Sequence, residues 1–180
     1  TVMTTEALTA AGSNPTGIVG GRVAAWGGNL SAGGDELFVV EADEYDRSFL
    51  ALSPTVATIT NVEADHLDIY TDLDDIRGAF AQFASRDRAL VLCADDAEAL
   101  ALRSYAQDGV SIVTYALVAD AAWRAAEVED DGISQAFNVY HDGELIHRFR
   151  IALAGLHNVQ NALGAIIMCL TLGLSANEID

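Results

Sequence analysis

Two short apolar runs, each breaking off abruptly into acids, set the limits on what this chain can fold into. In the first, Phe38-Val39-Val40 gives way to Glu41-Ala42-Asp43-Glu44-Tyr45-Asp46, with four carboxylates inside six positions. In the second, Val56-Ala57-Thr58-Ile59-Thr60-Asn61 gives way to Glu63-Ala64-Asp65-His66. Short runs rich in β-branched residues read as strands of a buried sheet. Open parallel sheets bind ligands beyond the carboxyl ends of their strands. Acids and one imidazole gathered at two such ends point to a divalent cation and a phosphate. Solvated loop acids explain either run alone; the repetition of the design favours a site.

The rest of the chain fits an α/β sheet flanked by helices. A helix is expected over residues 1–11, stopped at Gly12, and a strand over 16–21. Gly27, Gly28, Gly33 and Gly34 mark a loop or tight hairpin around Asn29-Leu30-Ser31. The first acid-tipped strand is read over 35–40. Pro54 should end any local helix before it. A helix over 72–85 places Ile76, Phe80 and Phe83 on one face, with acids in its first turn. A strand over 89–93, a helix over 95–106 and a strand over 111–115 continue the alternation that marks a mostly parallel sheet.

From Trp123 to Leu153 the pattern alternates instead, with Asp-Gly turns at Asp131-Gly132 and Asp142-Gly143. This predicts a small antiparallel subregion over 123–153, with strands near 125–129, 134–141 and 144–153. After Gly155, the residues Val159, Ala162, Leu163, Ile166, Ile167 and Leu170 recur at helical spacing. Asn158 and Asn161 lie off that face. Gly173 ends the helix, and Ser175-Ala176-Asn177-Glu178 reads as a capping box. Both ends read as cut inside helices, so the chain is expected to be a piece of a longer protein.

Charge narrows the function classes. The 180 residues carry a net charge of -18, which argues against a nucleic-acid or anionic-membrane surface. Like charges 4 Å apart repel by about 4 kcal/mol at an effective dielectric of about 20. Phosphate chemistry on this chain therefore requires cations. All nine basic residues are arginine, so the chain has neither a complete Gly-Lys-Ser/Thr phosphate loop nor a Schiff-base lysine. Cys93 and Cys169 sit in apolar runs and read as buried hydrophobes of a reduced, cytoplasmic compartment. No signal peptide and no long apolar span is present in the sequence.

Three segments carry a resemblance: Glu41-Ala42-Asp43-Glu44-Tyr45-Asp46, Asn61-Val62-Glu63-Ala64-Asp65-His66 and Gly155-Leu156-His157-Asn158-Val159-Gln160-Asn161. In this order and spacing they resemble the central, ATP-binding domain of the Mur ligase family, with the alanine-adding branch the nearest. The resemblance implies a fold like that of the phosphate-loop NTPases, and nearly the whole chain as one central domain. It also implies that the phosphate-binding loop lies before Thr1 and the amino-acid domain after residue 180. The implied reaction is ATP-dependent ligation in peptidoglycan precursor synthesis. The lactyl carboxylate of UDP-N-acetylmuramate becomes an acyl phosphate, which the amine of L-alanine attacks. The fragment alone is expected to be inactive.

The resemblance also assigns residues. Glu41 matches the family glutamate on the Mg2+ that bridges the β- and γ-phosphates of ATP. His66 matches the ligand of a second Mg2+; imidazole by itself suits Mn2+ better. Asn61 is a candidate for orienting substrate, or a turn-forming asparagine. Asp43, Glu44 and Asp65 are expected to support the ligands, Asp65 first among them, because metal-bound histidines take a carboxylate or carbonyl partner. His157, Asn158 and Asn161 match the helix start at the adenine, whose edge pairs well with an amide. Phe80 stands near the place where several relatives carry a carbamylated lysine. Tyr45 stands where a serine is usual, which keeps open a murein tripeptide recycling ligase or another Mur ligase. A non-enzymatic metal-binding α/β module is the remaining alternative.

Overall fold

A computed structural model describes residues 1–66, 68–85 and 88–179. The chain divides into two compact units, residues 1–43 with 165–180, and residues 44–164.

The first unit opens with helix α1 (Val2–Ala10), which closes on Gly12 in the left-handed region, as its sequence implies. Strand β1 (Thr16–Val23) pairs antiparallel with β2 (Gly28–Ser31) and parallel with β3 (Phe38–Val40). The glycine-rich stretch is thus not a loop around Asn29-Leu30-Ser31. Those residues are strand, and the reversal is made earlier, by a 3-10 turn at Ala24–Trp26 that ends on left-handed Gly27. A hairpin needs positive φ only at its turn, and Gly27 supplies it. Gly33 answers a different need, because a β-carbon there would collide with the Pro15 carbonyl oxygen. The core of this unit holds Leu8, Val19 and Val39 with Ile166, Ile167 and Cys169 of the last helix.

The second unit is a six-stranded sheet in the order β4 (Val56–Ile59), β5 (Ala89–Cys93), β6 (Ser111–Ala116), β7 (Trp123–Asp130), β8 (Gln135–His141) and β9 (Glu144–Ile151). The pairs β4–β5, β5–β6 and β6–β7 are parallel, and the last two are antiparallel. The hairpins at 123–153 therefore extend the parallel sheet itself. The two acid-tipped strands, by contrast, belong to different sheets, β3 to the first and β4 to the second.

Local chemistry accounts for most of these elements. Helix α2 (Leu73–Ala84) starts on Asp72, whose side chain accepts the Asp75 N–H, and buries Ile76, Ala79 and Phe83. Helix α3 (Ala97–Ala101) is capped likewise by Asp96, then tightens to 3-10 at Leu102–Tyr105. Asp142 (φ 48°) and Gly143 (φ 85°) form the turn that joins β8 to β9. Both central residues have positive φ, as a type I′ hairpin requires.

The join from β6 to β7 is less usual, because parallel neighbours ordinarily need a crossover of a dozen residues. Here six suffice, since only Tyr115–Trp123 and Ala116–Arg124 are in register. Asp95 holds that short loop by accepting the N–H groups of Leu117, Val118 and Ala119 at 2.6, 3.0 and 2.7 Å. Partial burial works against the charged form of Asp95, but these donors outweigh it and lower its pKa.

Helix α4 (Leu156–Thr171) follows left-handed Gly155 and buries Val159, Ala162, Leu163, Ile166 and Ile167. The bonds Gly173 N–H to Leu170 O and Leu174 N–H to Cys169 O close it as a Schellman motif. Ser175 and Glu178 do form a capping box, over one 3-10 turn at Ala176–Glu178. Both cysteines are buried free thiols, and burial pushes Cys169 up to about 11. No helix among the described residues is long and apolar enough to cross a membrane.

Candidate functional site

Beyond β3, the chain enters the acid-rich stretch with Glu41 held at the sheet end, its N–H donating to Ile18 O at 2.9 Å. A β-carbon at Gly20 would come within 3.3 Å of Glu41 Oε1. The neighbouring glycine thus leaves room for this exposed carboxylate beside the middle of β1. Asp43, two residues on, is also exposed.

In the second unit, Glu44 begins a run of 3-10 turns over Tyr45–Ala51. The run is broken by Asp46 (φ 55°) and Arg47 (φ 57°), and the other acid-rich stretch holds His66 at φ 54°. Left-handed backbone at residues other than glycine costs roughly 1–3 kcal/mol each and persists only where surroundings impose it. The surroundings here are specific. Tyr70, only 1 % exposed, donates its hydroxyl to Glu44 O at 2.7 Å and its N–H to His66 O at 2.9 Å. Arg47 lies over the Tyr70 ring, 4.7 Å from its centre. The same guanidinium grips both oxygens of Asp75 at 2.6 and 2.7 Å. That contact, with the Thr71 N–H and hydroxyl, holds the Asp75 carboxyl below its usual range.

These contacts place His66 beside Glu44. His66 Nε2 stands 3.4 Å from Glu44 Oε1, and the Tyr45 ring meets the imidazole edge-on at 5.2 Å. Asp65 accepts the His66 backbone N–H at 2.7 Å and stands 4.0 Å from Nδ1. Of the two acids, Glu44 is therefore nearer the ring. Asn61, at the tip of β4, accepts from Thr60 and donates to Glu63 at 3.2 Å. Phe80 packs on Phe49 with ring centres 5.2 Å apart, and Phe83 does so at 5.1 Å. The place where relatives were expected to carry a lysine is an apolar cluster in this chain.

Among the described residues, no three His, Cys, Asp or Glu side chains are grouped to hold a metal ion by themselves.

The third group lies at the start of α4. His157 folds over Gly155, whose absent β-carbon would come within 2.6 Å of the imidazole Cε1. Asn158, in the first turn, ties the helix start to the segment before it by donating to Ala154 O at 2.7 Å, while Asn161 is exposed. His157 also lines an open recess of about 490 Å³ with Asp95, Leu117, Val118, Ala119, Leu156 and Gln160. Gln160 reaches Cys93 Sγ at 2.9 Å and Asp95 at 3.2 Å. Sequence reasoning missed Tyr70, Asp95 and Gln160. The one signal for Gln160 was its place between Asn158 and Asn161 at the helix start.

Comparison with known proteins follows the same lines. Residues 26–169 match the Mur ligase middle domain family. A UDP-N-acetylmuramate--L-alanine ligase of Caldanaerobacter subterraneus subsp. tengcongensis is 38% identical over 175 residues, 95% of this chain and 38% of that protein. The crystal structure of a UDP-N-acetylmuramate-alanine ligase from Thermotoga maritima superposes with a TM-score of 0.83 at 27% identity, over 98% of this chain and 39% of that one. A UDP-N-acetylmuramate:L-alanyl-gamma-D-glutamyl-meso-diaminopimelate ligase from Neisseria meningitides gives a TM-score of 0.83 at 25% identity, over 98% of this chain and 60% of that one. The chain thus spans less than two fifths of the first two of these relatives and 60% of the third. With the family match covering most of its length, the chain belongs to the Mur ligase middle domain family.

Proposed function

We propose that this chain is the ATP- and metal-binding part of a ligase that joins L-alanine to UDP-N-acetylmuramate. The observation that carries the reading is the 38% identity to a ligase of that name across 95% of the chain. The site chemistry supports it. Glu41 offers a hard carboxylate oxygen to Mg2+ at the ATP phosphates, and His66, backed by Glu44, offers an imidazole to a second Mg2+ or to Mn2+. When bound, the metal would neutralise the triphosphate and the substrate carboxylate so that the two anions can meet. The carboxylate oxygen then attacks the γ-phosphorus and ADP leaves. The alanine amine attacks the acyl phosphate, an amide forms, and inorganic phosphate leaves.

The chain's own residues supply binding and orientation. Asn61 presents an amide at the end of β4 for orienting substrate, and Asp43 and Asp65 support the ligands. His157 and Asn161 face the adenine, and Asn158 fixes the start of the helix that carries them. The recess beside His157 has the apolar Leu117–Ala119 wall and the Gln160 amide that a nucleotide base requires. Because the chain has no lysine, the reading requires a lysine-bearing, glycine-rich phosphate loop elsewhere in the protein. The place of work would be the cytoplasm, where UDP-linked precursors and ATP occur together.

A second reading, the murein recycling ligase, is favoured by the equal TM-score of the Neisseria structure. The fold does not separate the two, so the acceptor must. In the full-length enzyme, ATP turnover that depends on L-alanine supports the first reading, and turnover driven by a tripeptide but not by L-alanine supports the second. Glu41→Ala and His66→Ala should each lower kcat by about 100-fold or more, beyond the 10- to 100-fold typical of outer-shell partners. Wild-type rates in both would remove the metal assignment.

A further inference from the structure

We infer that Tyr70 is the positioning residue of this site, joining its two acid-rich stretches so that the His66 imidazole is presented in one orientation. The inference rests on the ligase reading for its functional consequence, and on geometry for the rest. Glu44 and His66 lie 22 positions apart in sequence, yet a closed circuit of contacts connects them. Glu44 O accepts the Tyr70 hydroxyl at 2.7 Å, the Tyr70 N–H reaches back to His66 O at 2.9 Å, and His66 Nε2 returns to Glu44 Oε1 at 3.4 Å. Two of the three links are backbone carbonyls, so the circuit fixes main chain as well as side chain. It does so where main chain is least settled, at His66 (φ 54°) and just before Asp46 (φ 55°) and Arg47 (φ 57°).

Two features make Tyr70 the keystone of that circuit. Its ring is buried, and the Arg47 guanidinium covers one face while being held by Asp75. The hydroxyl therefore has little freedom to turn elsewhere. Phenylalanine would keep the ring and remove the hydroxyl that bonds Glu44 O, which separates positioning from stability.

The experiment uses the full-length ligase with 13C-labelled histidine, comparing wild type, Tyr70→Phe, Glu44→Gln and His66→Asn. The His66 ring signal is identified by its loss in His66→Asn. Tyr70→Phe should displace or broaden that signal, raise the Mg2+ concentration for half-maximal rate about tenfold, and lower kcat 10- to 100-fold. The KM for L-alanine should stay within about twofold. Folded Tyr70→Phe with a wild-type His66 signal and Mg2+ dependence would overturn the inference. Should Tyr70→Phe fail to fold, Glu44→Gln tests the same circuit from its other end, and an unmoved His66 signal there overturns it equally. Wild-type turnover in His66→Asn would instead bring down the metal assignment itself, a failure distinct from that of Tyr70.

Discussion

The hairpin that joins β8 to β9 and the two acid-rich stretches after β3 and β4 solve the problem of reversing a chain in opposite ways. In the hairpin at Asp142-Gly143, positive φ falls on residue types that accept it, and the register follows from the turn. At Asp46, Arg47 and His66, positive φ falls on side-chain-bearing residues, of which aspartate and histidine accept it more readily than arginine but none as freely as glycine. There the conformation is imposed by what surrounds it: Tyr70, Arg47 with Asp75, and the Phe49 cluster. A turn written into its own residues is cheap and carries no chemistry here. A turn held by its scaffold is strained, and this chain keeps its candidate ligand on one.

That contrast can be broken most forcefully at Phe49, which is 2 % exposed and lies two residues after the strained Asp46-Arg47 pair. Phe49→Ala should lose about 3–5 kcal/mol by chemical denaturation, the usual range for a buried phenylalanine, and should free the acid-rich stretch to proteolysis. A loss below about 1 kcal/mol would mean that the scaffold does not hold this turn. The hairpin makes the converse case. Gly143→Ala places a side chain at φ 85° and should destabilise by about 1–2 kcal/mol, with turnover of the full-length ligase unchanged.

His66→Asn sharpens the comparison with an effect near zero. Asparagine tolerates the left-handed region, so stability should stay within about 0.5–1 kcal/mol of wild type or rise, while ligase turnover collapses. A protein that lost both together would show His66 to be structural.

The smallest effect expected is the acid response of the turn at Asp131. The Ser134 N–H and hydroxyl, with the Ile133 N–H and then Arg150, hold that carboxyl down at about 2 against an ordinary 3.8. A depressed carboxyl stabilises the fold fully above the ordinary value and stops doing so as pH falls through the lowered one. Replacing Asp131 with asparagine should therefore lower the melting temperature slightly at neutral pH, where the carboxylate contributes in full, and flatten its fall between about pH 4 and pH 2.

How much of this was legible in the sequence depended on how local the cause was. The Asp-Gly turns, the strand at Ala89–Cys93 and the apolar face of α4 were all set by neighbours a few positions away, and the structure has them where expected. Residues 29–31 were misplaced because four glycines mark flexibility without saying which one makes the turn. The union of the parallel and antiparallel strands in one sheet turns on a two-pair overlap at the ends of β6 and β7, which no periodicity encodes. At the site, the acids and His66 declared themselves by type and spacing. The circuit through Tyr70 did not, since a tyrosine four residues after a histidine has no signature until the chain brings Glu44 to it.

The two units also differ in how a growing chain can complete them. Every strand of the six-stranded sheet lies beside its neighbour in sequence, so each can add to an edge already made, and synthesis order is assembly order. The other unit is built from residues 1–43 and 165–180. It waits for its last segment, and closing a span of about 120 residues costs about 4 kcal/mol in chain entropy if the interval is still unfolded. The unit carrying Glu41 thus has all its residues only after position 165 has been passed, whereas every residue of the unit carrying His66 has been made by then.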